Sequence, residues 1–444
     1  MRTKETAAAL SEALQPGGIR AVYQPLVHLE TRQVLGYEAL GRGPEGSSLE
    51  APTELLGAAR PAGLLAEVDW ACRTAAFQGA LVAEMGSSST LFVNVEPDVA
   101  VGAPPEHRDL LSRVAAELRV VLEVTERAVI SRPAELLRLV DWARDHSWGI
   151  ALDDVGSNPL CLALLPFLEP DVIKLDLRVV QGRPTAEVGL IVSAVMAEAE
   201  RSGATVVAEG IETEEHMQAA LALGAIVGQG WLFGRPGPLP TPVPAAADTI
   251  PLLRVPSSPA EQTPFSVVRS ARPLRQGDKR LLLGIATYLE EQATSWHDGP
   301  VILSTFQDQD EIEAVTLERY ATLAGRGSLV VALGRGMSAE PAPGVVGSAL
   351  PLEHRLSEEW SVVVVGPHYA GALVARQRPA SAARGDDRWD FAVTHDRSLV
   401  VAAGRALLRQ VAPDESSLDT LTTTRPAGRR SDEPDDRVEV SSPG

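Results

Sequence analysis

A chain of 444 residues has room for about two or three domains, and its 45% hydrophobic and 22% charged residues are ordinary for a globular protein. A formal net charge of -19 leaves no basic stripe to neutralise the phosphates of duplex nucleic acid. Two cysteines, Cys72 and Cys161, make no disulfide framework, no signal-like apolar segment opens the chain, and no apolar run approaches a membrane span of roughly 18 residues, so a cytoplasmic protein without membrane insertion is expected.

From Ala21 to about Gly237 strand-like and helix-like segments alternate. Strands are expected at Ala21–Gln24, Val34–Leu40, Leu91–Val95, Val120–Thr125, Gly149–Asp153, Val172–Leu175, Thr205–Ala208 and Ala225–Gly228. Helices are expected over Leu64–Met85, from Pro133 to Asp145, over Glu187–Ser202, and from an N-cap at Thr213 to Gly224. Eight short strands with intervening helices fit a (β/α)8 TIM-type barrel, whereas a doubly wound sheet would open on a glycine-rich turn that is missing. Proline is dense from Arg235 onward, which predicts a semi-rigid linker over 239–263 between two domains that move relative to each other. A smaller α/β domain follows over 264–411, with a helix at Arg280–Ala293, strands at Val301–Phe306, Ser328–Leu333, Ser361–Val365 and Gly371–Ala375, and a closing helix over Asp396–Gln410. Residues 412–444 read as a disordered acidic tail, and residues 1–14 as an N-terminal extension of the barrel at 15–238.

Within the barrel the chemistry gathers at strand ends. Gly149-Ile150-Ala151-Leu152 runs into Asp153-Asp154, and two carboxylates about 4 Å apart repel by roughly 4 kcal/mol at an effective dielectric near 20. A divalent cation held through oxygen relieves that repulsion; for the pair alone, an exposed turn closing the strand is the other reading. The other ends carry Glu38 and Arg42, Asn94, Glu123 and Glu126, Lys174, Glu209 and Gln229. In a parallel barrel these ends converge on one face. A set of acids with an asparagine, free of histidine and cysteine, suits Mg2+ or Mn2+ and disfavours zinc. A carboxylate shared by two ions beside a second carboxylate suits two-metal phosphoryl transfer.

With these residues in view, the first domain resembles the EAL domain, the cyclic-di-GMP-specific phosphodiesterase family. The resemblance runs from Tyr23-Gln24-Pro25 through Glu38-Ala39-Leu40-Gly41-Arg42, Asn94-Val95, Glu123-Val124-Thr125-Glu126, Asp153-Asp154-Val155-Gly156, Ile173-Lys174-Leu175-Asp176 and Glu209-Gly210 to Gly228-Gln229-Gly230. It implies a modified barrel whose first strand is antiparallel to the rest, and hydrolysis of cyclic di-GMP to the linear dinucleotide in bacterial second-messenger signalling. It also implies that Glu38, Asn94, Glu123 and Asp153 ligate one metal ion, and Asp153 and Asp154 a second. Lys174 and Glu209 then position and deprotonate the attacking water, Gln229 orients that shell, Gln24 and Arg42 contact guanine and phosphate, and Glu126 anchors the loop after the Asp pair. Mg2+ or Mn2+ is the expected cofactor, Ca2+ an expected inhibitor, and a homodimer an expected assembly.

That loop departs from the family pattern. Asp-Asp-Phe-Gly, a small residue and Gly-Tyr-Ser-Ser are replaced by Asp153-Asp154-Val155-Gly156-Ser157-Asn158-Pro159-Leu160-Cys161, with Pro159 stiffening the segment. The departure keeps open a catalytically weak barrel that senses cyclic di-GMP and signals as a receptor or adaptor. Lys279-Arg280-Leu281-Leu282-Leu283-Gly284-Ile285 and Val301-Ile302-Leu303 resemble the DICT domain, which implies a sensory or regulatory role for an undefined signal. Gly334-Arg335-Gly336 after a strand has the look of a dinucleotide loop, against which stands an ordinary glycine-rich turn.

Overall fold

A computed structural model of the chain describes residues 2–96, 104–125, 132–156, 162–183, 185–253, 262–294, 299–378 and 388–411. Glu126, the loop 157–161 and the expected acidic tail lie outside them. Eight strands close into a barrel in chain order: β1 (Arg20–His28), β2 (Val34–Arg42), β3 (Thr90–Asn94), β4 (Arg119–Thr125), β5 (Gly149–Val155), β6 (Val172–Leu175), β7 (Thr205–Ala208) and β8 (Val227–Gln229). From β2 through β8 successive strands pair parallel, and β1 pairs antiparallel with both β2 and β8. Every strand expected from the sequence is present, most of them one to four residues longer at an end. The helix Pro133–Asp145 has the expected bounds, and Thr213 caps its helix by accepting from the His216 N–H.

The barrel's bore is built in two layers. The lower one takes one apolar residue from each strand: Leu26, Leu35, Phe92, Val121, Ala151, Val172, Val207 and Val227. On β3 to β8 a polar residue stands two positions further on, at Asn94, Glu123, Asp153, Lys174, Gln229 and, just past β7, Glu209. On antiparallel β1 it stands two positions earlier, at Gln24. Side chains on a strand repeat every two residues, so the apolar layer fixes the polar layer directly above it.

The proline-rich segment, expected as a semi-rigid linker, packs against the barrel over its described part. Ile250 is 1% exposed and fills the lower layer of the bore among the eight strand residues. Arg119 Nη2 donates to the Ile250 carbonyl at 2.6 Å, the Val243 N–H donates to Ala83 O at 2.9 Å, and the Leu253 N–H donates to Asp171. Asp171 is itself fully buried and paired with Arg144 at 2.6 Å. Prolines stiffen this segment, but its apolar residues are spaced to seal the barrel floor.

The second α/β region is a seven-stranded sheet in the order β12-β11-β10-β13-β14-β15-β9. Its strands are β9 (Arg275–Asp278), β10 (Val301–Asp308), β11 (Leu329–Arg335), β12 (Val346–Ala349), β13 (Glu359–Val365), β14 (Ala370–Gln377) and β15 (Arg388–Thr394). β10, β11 and β12 run parallel and the remaining pairs antiparallel. The Gly334–Met337 turn after β11 is an ordinary tight turn: the Met337 N–H donates to Gly334 O and Gly336 has φ +65°.

The sheet and the barrel share packing. The closing helix Arg397–Leu408 lies on the short helix Leu165–Leu168, with Gly404 against the Phe167 ring, where any Cβ would collide. Arg405, its side chain 6% exposed, pairs with Glu169 and approaches Asp141 at 3.9 Å, and Arg409 pairs with Asp141. One continuous hydrophobic core runs from barrel residues such as Leu152 to Val363 of the sheet and Leu407 of the closing helix.

Candidate metal and active site

The upper layer of the bore centres on Lys174, which is 0% exposed. Its Nζ lies 2.7 Å from Glu123 Oε1, 2.7 Å from Glu209 Oε1, 3.1 Å from Asp153 Oδ1 and 3.6 Å from Glu38 Oε2. Asn94 Nδ2 donates to Glu38 Oε1 at 2.9 Å. Gln229 Nε2 donates to Glu38 Oε2 at 2.6 Å and to Gln24 Oε1 at 3.1 Å, and Gln24 Nε2 donates to Gly234 O at 3.0 Å. Seven strand ends thus meet around one ammonium. Arg42 stands apart at the mouth, opposite Arg20 on β1, with its Nη1 on Gly41 O.

In a regular strand Asp153 and Asp154 would point to opposite faces. A one-residue bulge prevents this: Leu152 pairs with Ile173 but Val155 with Leu175, and Asp154 sits at φ +58°. Ligand atoms of Asp153, Asp154 and Glu209 then all fall within 4.8 Å of one another. Aspartate tolerates the left-handed region better than most side chains, which suits it to a bulge that costs about 1–3 kcal/mol elsewhere. Gly156, at φ +103°, lets the chain turn away at once.

Electrostatics separate the carboxylates. Burial, then the charge of Glu38, pushes Glu123 well above the usual carboxylate range, and Lys174 only partly opposes this. Burial likewise raises Glu209 to about 8, and burial with the charges of Asp153 and Asp176 raises Asp154. For Glu38 burial acts upward too, but Lys174 and the Gln229 and Asn94 hydrogen bonds outweigh it and leave the group below its ordinary value. Burial would lower Lys174, yet the four surrounding carboxylates hold it well above its ordinary value. One ammonium therefore cannot balance the negative charge concentrated here.

These residues fit divalent cations. The donors are all oxygens, as Mg2+ and Mn2+ prefer. Glu123 Oε2 and Gln229 Oε1 are buried with no hydrogen-bond partner among the described residues. Such orphaned acceptors are costly in a pocket that binds nothing.

Two positioning groups have no role in the sequence reading, although Asp176 stands in one of its motifs. Asp69, 4% exposed, accepts from the Glu96 N–H at 2.9 Å and pairs with Arg73, whose guanidinium lies 4.3 Å over the Trp70 ring. That pair pins the chain just past Asn94; its cue was an i,i+4 charge pair on the inward face of an amphipathic helix. Asp176 caps the helix Leu177–Gln181 through the Arg178 N–H at 2.7 Å and adds negative charge beside Asp154.

Among known proteins, the EAL domain profile matches residues 7–236. The profile of the sensory domain in diguanylate cyclases and two-component systems, DICT, matches residues 265–378. The cyclic di-GMP phosphodiesterase RocR of Pseudomonas aeruginosa is 30% identical over 246 residues, which is 52% of this chain and 60% of RocR. The cyclic di-GMP phosphodiesterase PdeL of Escherichia coli is 32% identical over 142 residues, 32% of this chain and 39% of PdeL. A manganese and cyclic di-GMP complex of Klebsiella pneumoniae BlrP1 aligns with a TM-score of 0.45 at 30% identity, covering 50% of this chain and 57% of that one. With its first 236 residues matched almost throughout and the ordered strand ends in place, the chain belongs to the EAL domain family and carries a C-terminal DICT sensory domain.

Proposed function

We propose that the barrel is a metal-dependent phosphodiesterase that opens one phosphodiester bond of cyclic di-GMP to the linear dinucleotide, under control of the C-terminal domain. The observation that carries this reading is the convergence of four carboxylates on Lys174, with Asn94 on one of them and with Asp153, Asp154 and Glu209 close enough to share an ion. Glu38, Asn94, Glu123 and Asp153 would hold one Mg2+ or Mn2+, and Asp153 with Asp154 a second. Bound there, the ions would lower the pKa of a water and neutralise charge developing on phosphorus. Lys174 and Glu209 orient the attacking water, and Glu209 accepts its proton. Gln229 keeps Glu38 in place through their hydrogen bond. Gln24 and Arg42 line the route to the mouth, where they take guanine and phosphate and align the scissile bond.

Purified protein given Mg2+ or Mn2+ and cyclic di-GMP should yield the linear dinucleotide on chromatography, and E38A should not. EDTA and excess Ca2+ should stop the reaction. Ca2+ takes more ligands at longer distances, so it would occupy the site while holding a water poorly. The altered loop after Gly156 favours a second reading, a receptor; intact substrate bound tightly and never cut would replace the first reading with that one. Turnover undiminished in EDTA would refute metal dependence.

A further inference from the structure

The two strands that carry Gln24 and Glu38 continue past the metal layer and end in a pair of arginines. β1 and β2 keep a regular antiparallel register there: Gln24 pairs with Glu38, Val22 with Leu40 and Arg20 with Arg42. Side chains alternate along a strand, so Arg20 and Arg42 share the pleat face on which Gln24 and Glu38 enter the bore. They stand four residues beyond those groups, about 13 Å at roughly 3.3 Å per residue, and so lie at the mouth above the metal layer.

Like charges opposite each other on one face are destabilising, and here one carboxylate, Glu50, serves two guanidinium groups. Arg20 Nη2 donates to Glu50 Oε1 at 2.5 Å, while Glu50 Oε2 accepts from the Gly46 N–H at 2.9 Å. That contact uses one of the several N–H donors of Arg20 and fixes the guanidinium over the mouth. Arg42 makes no ion pair among the described residues, and its Nη1 donates to Gly41 O at 2.8 Å. Burial, then the charge of Arg20, lowers Arg42 from its ordinary value, and Glu50 and Glu38 only partly offset this. Both groups reach solvent: the Arg20 side chain is 38% exposed and Arg42 is half-buried. Lys174, by contrast, is fully buried among four carboxylates and is not free to hold a further anion.

A cyclic dinucleotide carries two phosphates. With the one to be cut at Asp153, Asp154 and Glu209, the other needs cations outside the metal layer. Guanidinium groups suit phosphate because they offer it two parallel N–H donors. We propose that Arg20, held by Glu50, is a second phosphate-binding residue that joins Arg42 in taking the phosphate that is not cut. The proposal rests on the reading of the bore as a cyclic di-GMP site, and it holds whether the nucleotide is cut or only bound.

The test measures cyclic di-GMP binding to the full chain by calorimetry, with Ca2+ in place of Mn2+ so that the ligand stays intact. In about 0.05 M NaCl, R20M should weaken binding about tenfold, the worth of a hydrogen bond to a charged group at a partly exposed site. R20K keeps the charge without the fork and should weaken binding only about threefold. In about 1 M NaCl, where charges are screened within roughly 3 Å, the R20M loss should shrink to about twofold. R113M removes the same charge from the helix Arg108–Glu117 and should leave binding unchanged. The Arg20–Glu50 pair is partly exposed, so its loss should leave the fold intact, which equal melting temperatures would verify; R20K decides the matter if R20M does not fold. An R20M affinity within about twofold of a parent that binds, a loss just as large in high salt, or an equal loss in R113M would overturn the inference and leave the phosphodiesterase reading standing. A parent that neither binds nor cuts cyclic di-GMP would overturn both.

Discussion

Glu123→Gln separates the needs of the fold from those of the site. Glu123 Oε1 lies 2.7 Å from Lys174 Nζ, an attraction of about 6 kcal/mol at an effective dielectric near 20. The carboxylate oxygens of Glu209, Asp153 and Glu38 lie 2.7, 3.1 and 3.6 Å from the same nitrogen. Each is therefore no more than about 5.4 to 6.3 Å from Glu123 Oε1, which makes each repulsion at least roughly 3 kcal/mol on the same scale. Three such repulsions outweigh the one attraction by about 2–3 kcal/mol, and burial of the charge adds to the imbalance. The same balance accounts for Glu123 lying well above the usual carboxylate range.

Removing this charge should therefore stabilise the metal-free protein, by about 1–3 kcal/mol, since the amide keeps the shape and can donate to neighbouring carboxylates. For a chain of this length that is a rise in Tm of a few degrees, at about 2.1 cal/mol/K of unfolding entropy per residue. A bound divalent cation reverses the sign, because it turns Glu123 from a net liability into a ligand. Thermal unfolding in EDTA and then in rising Mn2+ reads both effects. E123Q should melt higher than the parent without metal and lose most of the Mn2+-induced rise. A fall of several degrees in EDTA, or an undiminished response to Mn2+, would refute the reasoning.

Three further changes probe other parts of the structure. Ile250→Ala should cost about 2–4 kcal/mol in urea unfolding, because the floor residue has eight strands around it and little freedom to collapse; a loss below about 1 kcal/mol would mean that the strap does not seal the barrel. Asp154→Gly should stabilise the metal-free protein by about 1 kcal/mol, relieving a left-handed backbone and one repulsion, while blunting the Mn2+ response; a fall in metal-free Tm would contradict that account of the bulge. Arg405→Met should cost about 1–3 kcal/mol, less than a fully buried pair because Glu169 and Asp141 keep some solvent; the double variant with Glu169→Gln should lose less than the two single losses added, and strict additivity would deny the coupling.

The barrel was legible because its strands obey one rule. An apolar residue followed two positions later by a polar one marks the lower and upper layers on β3 to β8, so alternation located both the core and the site. Asp153-Asp154 broke the rule, and the sequence offered no way to see that a bulge with Asp154 at φ +58° would bring both carboxylates to one place. The strands missed in the second domain include β9 and β12, the two edges of the sheet, which bury too little for a continuous apolar run. The packing of the proline-rich strap, residues 239–253, escaped notice for a different reason. Proline density dominated its composition, while the informative residues were the few apolar ones: Ile250, which the barrel floor buries, and Val243, buried in the main core beside Ala83.

The strap and the closing helix bear on how a sensory domain could act on this barrel. A hinged pair of domains would need a solvated linker and a polar interface, the default expectation for domains in one chain. Here the connecting segment is inserted into the bore at Ile250, and the closing helix rests on Phe167 with Arg405 paired to Glu169. The helix Leu165–Leu168 under that contact lies between β5, which carries Asp153 and Asp154, and β6, which carries Lys174. The sheet thus grips the connection joining the candidate metal ligands to the ammonium they surround. Packed interiors transmit displacement because they have few voids to absorb it, so a change in the sheet that moved this helix would reach both strands without a hinge. The same contacts make the barrel's stability depend on the sheet, and cutting the chain after residue 240 would remove Ile250 from the floor as well as the C-terminal domain. A rate measured on an isolated barrel would therefore report a damaged bore together with any effect of losing the C-terminal domain. Arg405→Met, which leaves the strap in place, separates the two.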